Sequence, residues 1–236
     1  MLMMYPYYFD PTYILIIIGV IISLVASAKV KSTYSKYSRV KSNSGFTGAE
    51  AAERILQREG IYDVSINHVA GNLTDHYDPR KKMLNLSDAT YNSQSVAAIG
   101  VAAHECGHAV QHARGYAPLK FRSILVPVAN FGSSISWFLI IAGLFINSSS
   151  SQMLINAGIL AFSLAVLFQL VTLPVEFNAS SRALVTLEST GILYGEEVKQ
   201  SKKVLSAAAL TYVAAAAASI LQLLRLILLF GGRRDD

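Results

Sequence analysis

One cysteine, Cys106, occurs in 236 residues, so no intrachain disulfide can form, and a reducing compartment fits this. Its expected role is that of a small filler. The residues before the first apolar run carry no lysine or arginine, only Asp10. Ala26-Ser27-Ala28 could pass for a signal-peptidase site, but a cleavable leader needs a basic region ahead of its apolar one. An uncleaved anchor is the expectation. There is no internal repeat and no extended low-complexity linker. Charge is missing altogether from three long runs: residues 12–28, which is 17 positions, then 124–146 and 153–175. A fourth run, 207–230, is interrupted only by Arg225. Each is about long enough to cross the hydrocarbon core of a bilayer. With 53% hydrophobic residues and a mean hydropathy of +0.41, the chain is too apolar for an ordinary soluble protein. These runs predict a mainly α membrane protein with about four transmembrane helices.

What charge there is has a pattern. The net charge is +5, and Lys29, Lys31, Lys36, Arg39 and Lys41 follow the first run with no acidic residue among them. Basic residues bordering a span mark its cytosolic side, which puts the amino terminus outside and the next segment in the cytosol. Nucleic-acid binding is not needed to explain the charge. The Arg233-Arg234 pair after the last run goes mildly against this orientation, and Asp235 and Asp236 offset it. Tyr5, Tyr7, Tyr8 and Tyr13 are candidate interfacial anchors.

Between the runs, residues 29–44 read as a polar Ser/Lys/Tyr connector whose structure the sequence leaves open. Thr47 and Glu50 form a capping box for a helix with Ala51, Ala52, Ile55 and Leu56 on its apolar face, ending at Gly60. From 61 to 87 the period approaches two, with Val64, Ile66 and His68, then Leu84 and Leu86, in apolar alternation. Residues 75–80 have turn chemistry, which predicts a small antiparallel sheet. That sheet either offers an edge strand to an extended peptide or merely packs on the next helix. The implied segments are 1–28 (leader and first span), 29–122 (cytosolic α+β region), 123–175 (membrane hairpin), 176–206 (cytosolic helical region) and 207–236 (fourth span and tail).

The stretch His104-Glu105-Cys106-Gly107-His108 sits within 95–114, where Ser95 can cap a helix and no proline interrupts it. On a helix the two histidines lie one turn apart on one face, able to converge on a divalent metal, with Glu105 beside them as general base. This is the His-Glu-x-x-His pattern of zinc proteases. The plainer alternative is two satisfied histidines and a surface glutamate.

Catalytic zinc usually takes three protein ligands and leaves one position for water. His112 continues the same face, but it is eight residues from His104, about 12 Å along a helix and too far to share one ion. It is expected to support the site or lie at the surface. His68 and His76 fall in the sheet region and could bind, orient substrate or stabilise an oxyanion. Glu176, 68 residues after His108, is the best-placed candidate, because the membrane hairpin returns the chain to the side it left. An acidic residue just after Pro174 calls for a metal or a basic partner, or else marks the membrane surface.

Residues 100–109 around the motif, 73–80 (LTDHYDPR) and 173–183 (LPVEFNASSRA) together resemble the YugP-type bacterial membrane zinc metallopeptidases, and the resemblance covers nearly the whole chain. More distantly the arrangement is similar to the HtpX-type membrane gluzincins. The resemblance implies a zincin-like cytosolic region, one Zn2+ per chain held by His104, His108 and Glu176, and a peptide or membrane-protein substrate. It also implies a multi-pass location in a bacterial plasma membrane. Gluzincins often place an Asp four residues after the glutamate ligand to hold a ligand histidine. This chain has Ser180 there, a weaker acceptor, which turns attention to Asn178, Ser181 or Glu188.

On that reading zinc polarises a water and the scissile carbonyl, Glu105 moves the proton to the leaving amine, and Arg182 is a candidate for steadying the oxyanion. An ion pair with Glu188 or a lipid phosphate is the alternative for Arg182. Two rival readings of the chain stand beside this one. In an intramembrane protease the motif helix is itself a span, but no later span contains the Asp that class takes as third ligand. A catalytically idle scaffold or metal-handling protein is the other, and Gln169 and Arg225 are the only obvious polar groups at mid-span for transport.

Overall fold

The structure is a computed structural model that describes residues 10–146 and 150–231. Tyr5, Tyr7, Tyr8, residues 147–149 of the expected outer turn and the charged tail from Arg233 to Asp236 lie outside the described residues. Among the described residues the order is α1 (Tyr13–Tyr37), α2 (Gly48–Arg58), β1 (Ser65–Val69), β2 (His76–Asp78), β3 (Met83–Ser87), α3 (Val96–Ala113), α4 (Ala117–Phe145), α5 (Ser151–Ser189) and α6 (Glu196–Phe230). Helices α1, α4, α5 and α6 are long and apolar enough to cross a membrane. The architecture is the mainly helical one expected, with a small sheet.

Three elements differ in detail from the sequence expectation. First, α1 does not stop where its apolar run stops but continues through Tyr37. No glycine or proline stands between Gly19 and Gly45 to end it. Its last turn is held by Tyr37, buried with Ala97 and Val204, and by the Tyr34 hydroxyl, which donates to the Ala89 carbonyl at 3.2 Å.

Second, the sheet is mixed rather than antiparallel. Its order is β1-β3-β2, with β1 parallel to β3 (Ser65 opposite Met83, Val69 opposite Ser87) and β2 antiparallel to β3 (Tyr77 opposite Leu84). The turn at Asp78, whose Oδ1 accepts from the Arg80 and Lys81 amides, makes the β2–β3 hairpin local. Residues 70–75 carry the chain from one edge to the other, so β1 lies across β3 from β2 and runs parallel to β3. Alternation reveals which face of a strand is buried, not which neighbour it pairs with.

Third, α5 runs through Pro174 as one helix of 39 residues, so an apolar stretch and Glu176 lie on one continuous helix. The proline forfeits one backbone hydrogen bond there. The expected helical region after 176 is the tail of α5, a turn with positive φ at Gly191 and Gly195, and the first turns of α6.

By contacts the chain divides into two compact units. Residues 26–124 and 170–213 form one. Its core gathers Ile55 and Leu56 of α2, Leu84 and Leu86 of β3, Ile99 of α3 and Leu187 of α5, all nearly or fully buried. Each such side chain contributes about 1.5–3 kcal/mol relative to exposure. The capping box of α2 is present, with the Thr47 hydroxyl accepting from the Glu50 amide and the Glu50 carboxylate accepting from the Thr47 amide. Helix α3, nearly buried from end to end, is capped by Ser95, whose hydroxyl accepts from the Ala98 amide at 3.2 Å. It stops at Gly115, φ +65°, with the Tyr116 amide reaching back to the Gln111 carbonyl.

The other unit comprises residues 1–25, 125–169 and 214–236, described from Asp10 to Gly231. Phe131, Phe138 and Leu160 point outward, as they would in a lipid environment. The one charge in the fourth apolar run is answered within this unit: Arg225 lies 3.4 Å from Asp10 and over the Tyr13 ring. A cation in an apolar helix pairs in this way when it stays in the protein interior.

Candidate metal centre

His104 and His108 stand one turn apart on α3, and Glu176 faces them from α5. One ligand atom from each lies within 4.8 Å of the other two. Glu176 Oε2 is 3.3 Å from His104 Nε2 and 3.5 Å from His108 Nε2. Four-coordinate zinc with bonds of about 2.0–2.1 Å separates its ligand atoms by roughly 3.3–3.4 Å, so both carboxylate–imidazole spacings sit near that value. Neither contact has hydrogen-bond geometry, and Oε2 is a buried oxygen with no donor. A buried carboxylate oxygen without a donor costs stability unless a cation compensates it. Two imidazoles and one carboxylate are also a donor set that zinc accepts. The residues therefore fit the ion.

Each donor is aimed by a partner. Glu176 Oε1 is held 3.1 Å from Arg122 Nη1, which turns Oε2 toward the histidines. This supplies the basic partner that an acidic residue after Pro174 called for. His104 Nδ1 lies 3.0 Å from the Ser180 hydroxyl, and His108 Nδ1 lies 3.0 Å from Gln111 Oε1. The Gln111 amide orientation is fixed, because its Nε2 donates to the Val175 carbonyl at 2.8 Å and to Asn178 Oδ1 at 3.0 Å. A carbonyl can only accept, so the Gln111 oxygen faces His108 and the proton of a neutral His108 sits on Nδ1. Nε2 keeps its lone pair for a metal.

Gly107, between the two histidines, sets how closely α3 approaches α5. A Cβ there would lie 2.5 Å from the Ala179 carbonyl oxygen. Gly100 plays the same part against α6, where a Cβ would meet Ser201 Oγ at 2.4 Å.

Glu105 is nearly buried, and its Oε2 accepts from the Tyr77 amide of β2 at 3.0 Å. The Tyr77 hydroxyl is 2.8 Å from His112 Nδ1, so His112 ties α3 to β2 and stays outside the triad. A cavity of 190 Å³ opens on His104, Glu105 and Glu176, with Asp75, Ser180 and Tyr212 also in its wall. The Tyr212 side chain shares this wall with Glu176.

The electrostatics suit a cation. Burial disfavours a charged His108, yet Glu176 and Glu105 outweigh it and hold its imidazole above the ordinary value. Burial pushes the Tyr77 phenol up to about 12, with Asp63 and Asp78 adding to the shift. Burial, then the Glu105 charge, raises the Cys106 thiol well beyond its usual range, and the thiol packs toward the Ala52 carbonyl as inert filler.

Not every candidate converges. His76 is exposed, between the Thr74 carbonyl and the Asn85 amide. His68 pairs with Asp88 at 2.7 Å. The Arg182 side chain donates to Asn178 Oδ1 at 2.8 Å and does not line the cavity. Ser180 itself meets His104, and Asn178 belongs to the Gln111 network, while Ser181 and Glu188 are exposed. Sequence reasoning missed Gln111, Arg122, Tyr77 and Tyr212. Only Gln111 carried a local signal, at three residues from His108 on the same helical face.

Residues 12–231, which include every element of the fold, match the family described as "Putative neutral zinc metallopeptidase". No solved structure matches the chain. The chain is 49% identical over 215 residues to the "Putative membrane protease YugP" of Bacillus subtilis (strain 168), covering 91% of this chain and 94% of that relative. On a match of this extent and identity, the chain belongs to this family, the YugP-type membrane zinc peptidases.

Proposed function

We propose that the protein is a zinc-dependent metalloendopeptidase of a bacterial plasma membrane, with one Zn2+ held by His104, His108 and Glu176. The observation that carries this is the position of Glu176 Oε2, 3.3 and 3.5 Å from the two histidine nitrogens. When bound, zinc supplies Lewis acidity, making a water acidic enough to be deprotonated near neutral pH.

The chain's own groups do the rest. Glu105, steadied by the Tyr77 amide, takes the proton of the attacking water and delivers it to the leaving amine. Tyr212 presents a neutral hydroxyl in the same cavity, positioned to donate to the carbonyl oxygen as negative charge develops. Arg182 acts through Asn178 and Gln111 to keep His108 in place. An extended peptide, free or part of a membrane protein, adds along β2, an outer strand of the sheet. The basic residues after the first apolar run argue for a cytosolic site and an outside amino terminus.

Purified protein in detergent, assayed for bound zinc and for cleavage of casein and of a membrane-protein substrate, tests the reading. Glu105→Gln keeps zinc and abolishes cleavage; turnover by that variant refutes the base assignment. Glu176→Ala lowers bound zinc towards zero; full occupancy moves the third ligand elsewhere. The intramembrane reading is disfavoured by α3, which packs in one core with α2, β3 and α5 and is not among the four long apolar helices.

A further inference from the structure

A second cavity, of 780 Å³, lies between the end of α1 and the start of α6. Five lysines line it, Lys29 and Lys36 from α1 and Lys199, Lys202 and Lys203 from α6, and no carboxylate does. Of the two acidic residues that open α6, Glu196 pairs with one groove lysine, Lys199, and Glu197 is buried and accepts from the Asn43 amide at 2.7 Å. Lys36 sits over the Tyr37 ring. Among the described residues no carboxylate forms an ion pair with Lys29, Lys202 or Lys203. Lys29, Lys202 and Lys203, gathered in one groove with no carboxylate in ion-pair contact, repel one another, and an anion relieves this.

The groove has a second character. Ala207 and Leu210 lie in its wall, at the start of the last apolar run, and Lys29 directly follows the first one. Where α1 and α6 cross a bilayer, these lysines stand at headgroup level while the apolar wall continues toward the acyl chains. Thr33 and Ser206 add hydroxyls that can donate to phosphate oxygens. We infer that this groove is a binding site for one anionic phospholipid, its phosphate among Lys29, Lys202 and Lys203 and an acyl chain along Leu210. A soluble acidic polypeptide would use the lysines but has no need of an apolar wall at that depth.

The test uses the full chain in mild detergent with equal amounts of phosphatidylglycerol and phosphatidylcholine, bound lipid being read by native mass spectrometry. The wild-type chain retains phosphatidylglycerol preferentially. Lys29→Gln with Lys202→Gln weakens that retention about 25-fold, at about fivefold per lysine. Arginine at both positions restores it, which separates lost charge from lost fold. Lys31→Gln with Arg39→Gln removes equal charge beside the groove and leaves the preference in place. Three results overturn the inference: no preference in the wild-type chain, an equal loss in the Lys31/Arg39 variant, or unchanged lipid retention in the groove variant together with slower cleavage of an acidic peptide.

Discussion

The Ser180 hydroxyl lies 3.0 Å from His104 Nδ1, one turn along α5 from Glu176. A single helix therefore delivers both a candidate metal donor and a group placed to orient another. Serine accepts a hydrogen bond more weakly than a carboxylate, so this support is adjustable in both directions. Ser180→Ala is expected to weaken zinc binding about 10- to 100-fold, and Ser180→Asp to strengthen it relative to wild type. Competition with a calibrated chelator measures both. Equal affinity across the three proteins would remove Ser180 from the site.

Gln111 is fully buried and joins His108 to two acceptors on α5. Gln111→Leu keeps the volume but removes the side-chain donor to the Val175 carbonyl and one of the two donors to Asn178 Oδ1, which keeps Arg182, at about 1–3 kcal/mol. Its zinc affinity should fall along with its stability. Thermal melts with and without chelator separate the two effects, and a variant with normal zinc affinity would limit Gln111 to packing.

Gly107→Ala puts a methyl group where the Ala179 carbonyl oxygen already stands, 2.5 Å away. Because the obstruction is backbone, α3 and α5 must move apart, costing about 1–3 kcal/mol. The expected result is a lower melting temperature and weaker zinc binding together. A variant that melts and binds like wild type would show that the contact gives way cheaply.

Tyr212→Phe removes one hydroxyl from the cavity wall. If that hydroxyl donates to the developing oxyanion, kcat falls about 100- to 1000-fold while KM and zinc content stay near wild type. A loss of zinc in proportion to the loss of rate would assign Tyr212 to holding Glu176 instead.

The local parts of this fold were legible in the sequence, and the long-range parts only where chemistry narrowed the choice. Thr47 with Glu50 and Ser95 with its apolar run announced α2 and α3, because capping and helical period are encoded within a few residues. Glu176 was reachable at a separation of 68 residues because zinc chemistry calls for a third donor and the apolar runs imply a returning hairpin. Arg122 and Tyr212 carry no such signal: an arginine near the start of one helix and a tyrosine in an alanine-rich run look like ordinary surface and membrane residues. The direction of β1 was hidden for a similar reason, since alternation is the same for parallel and antiparallel neighbours. The reach of α1 past Lys29 was there to read in the missing helix breakers, but polar composition suggested a connector instead.

The donors come from two helices that nothing joins covalently nearby. An ion bound by all three acts as a crosslink across 68 residues of chain, so metal and folded core stabilise each other. Stripping the metal should then do more than silence the protein: it should loosen α3 from α5, lower the melting temperature and expose the junction to proteolytic nicking, all reversed when zinc is restored.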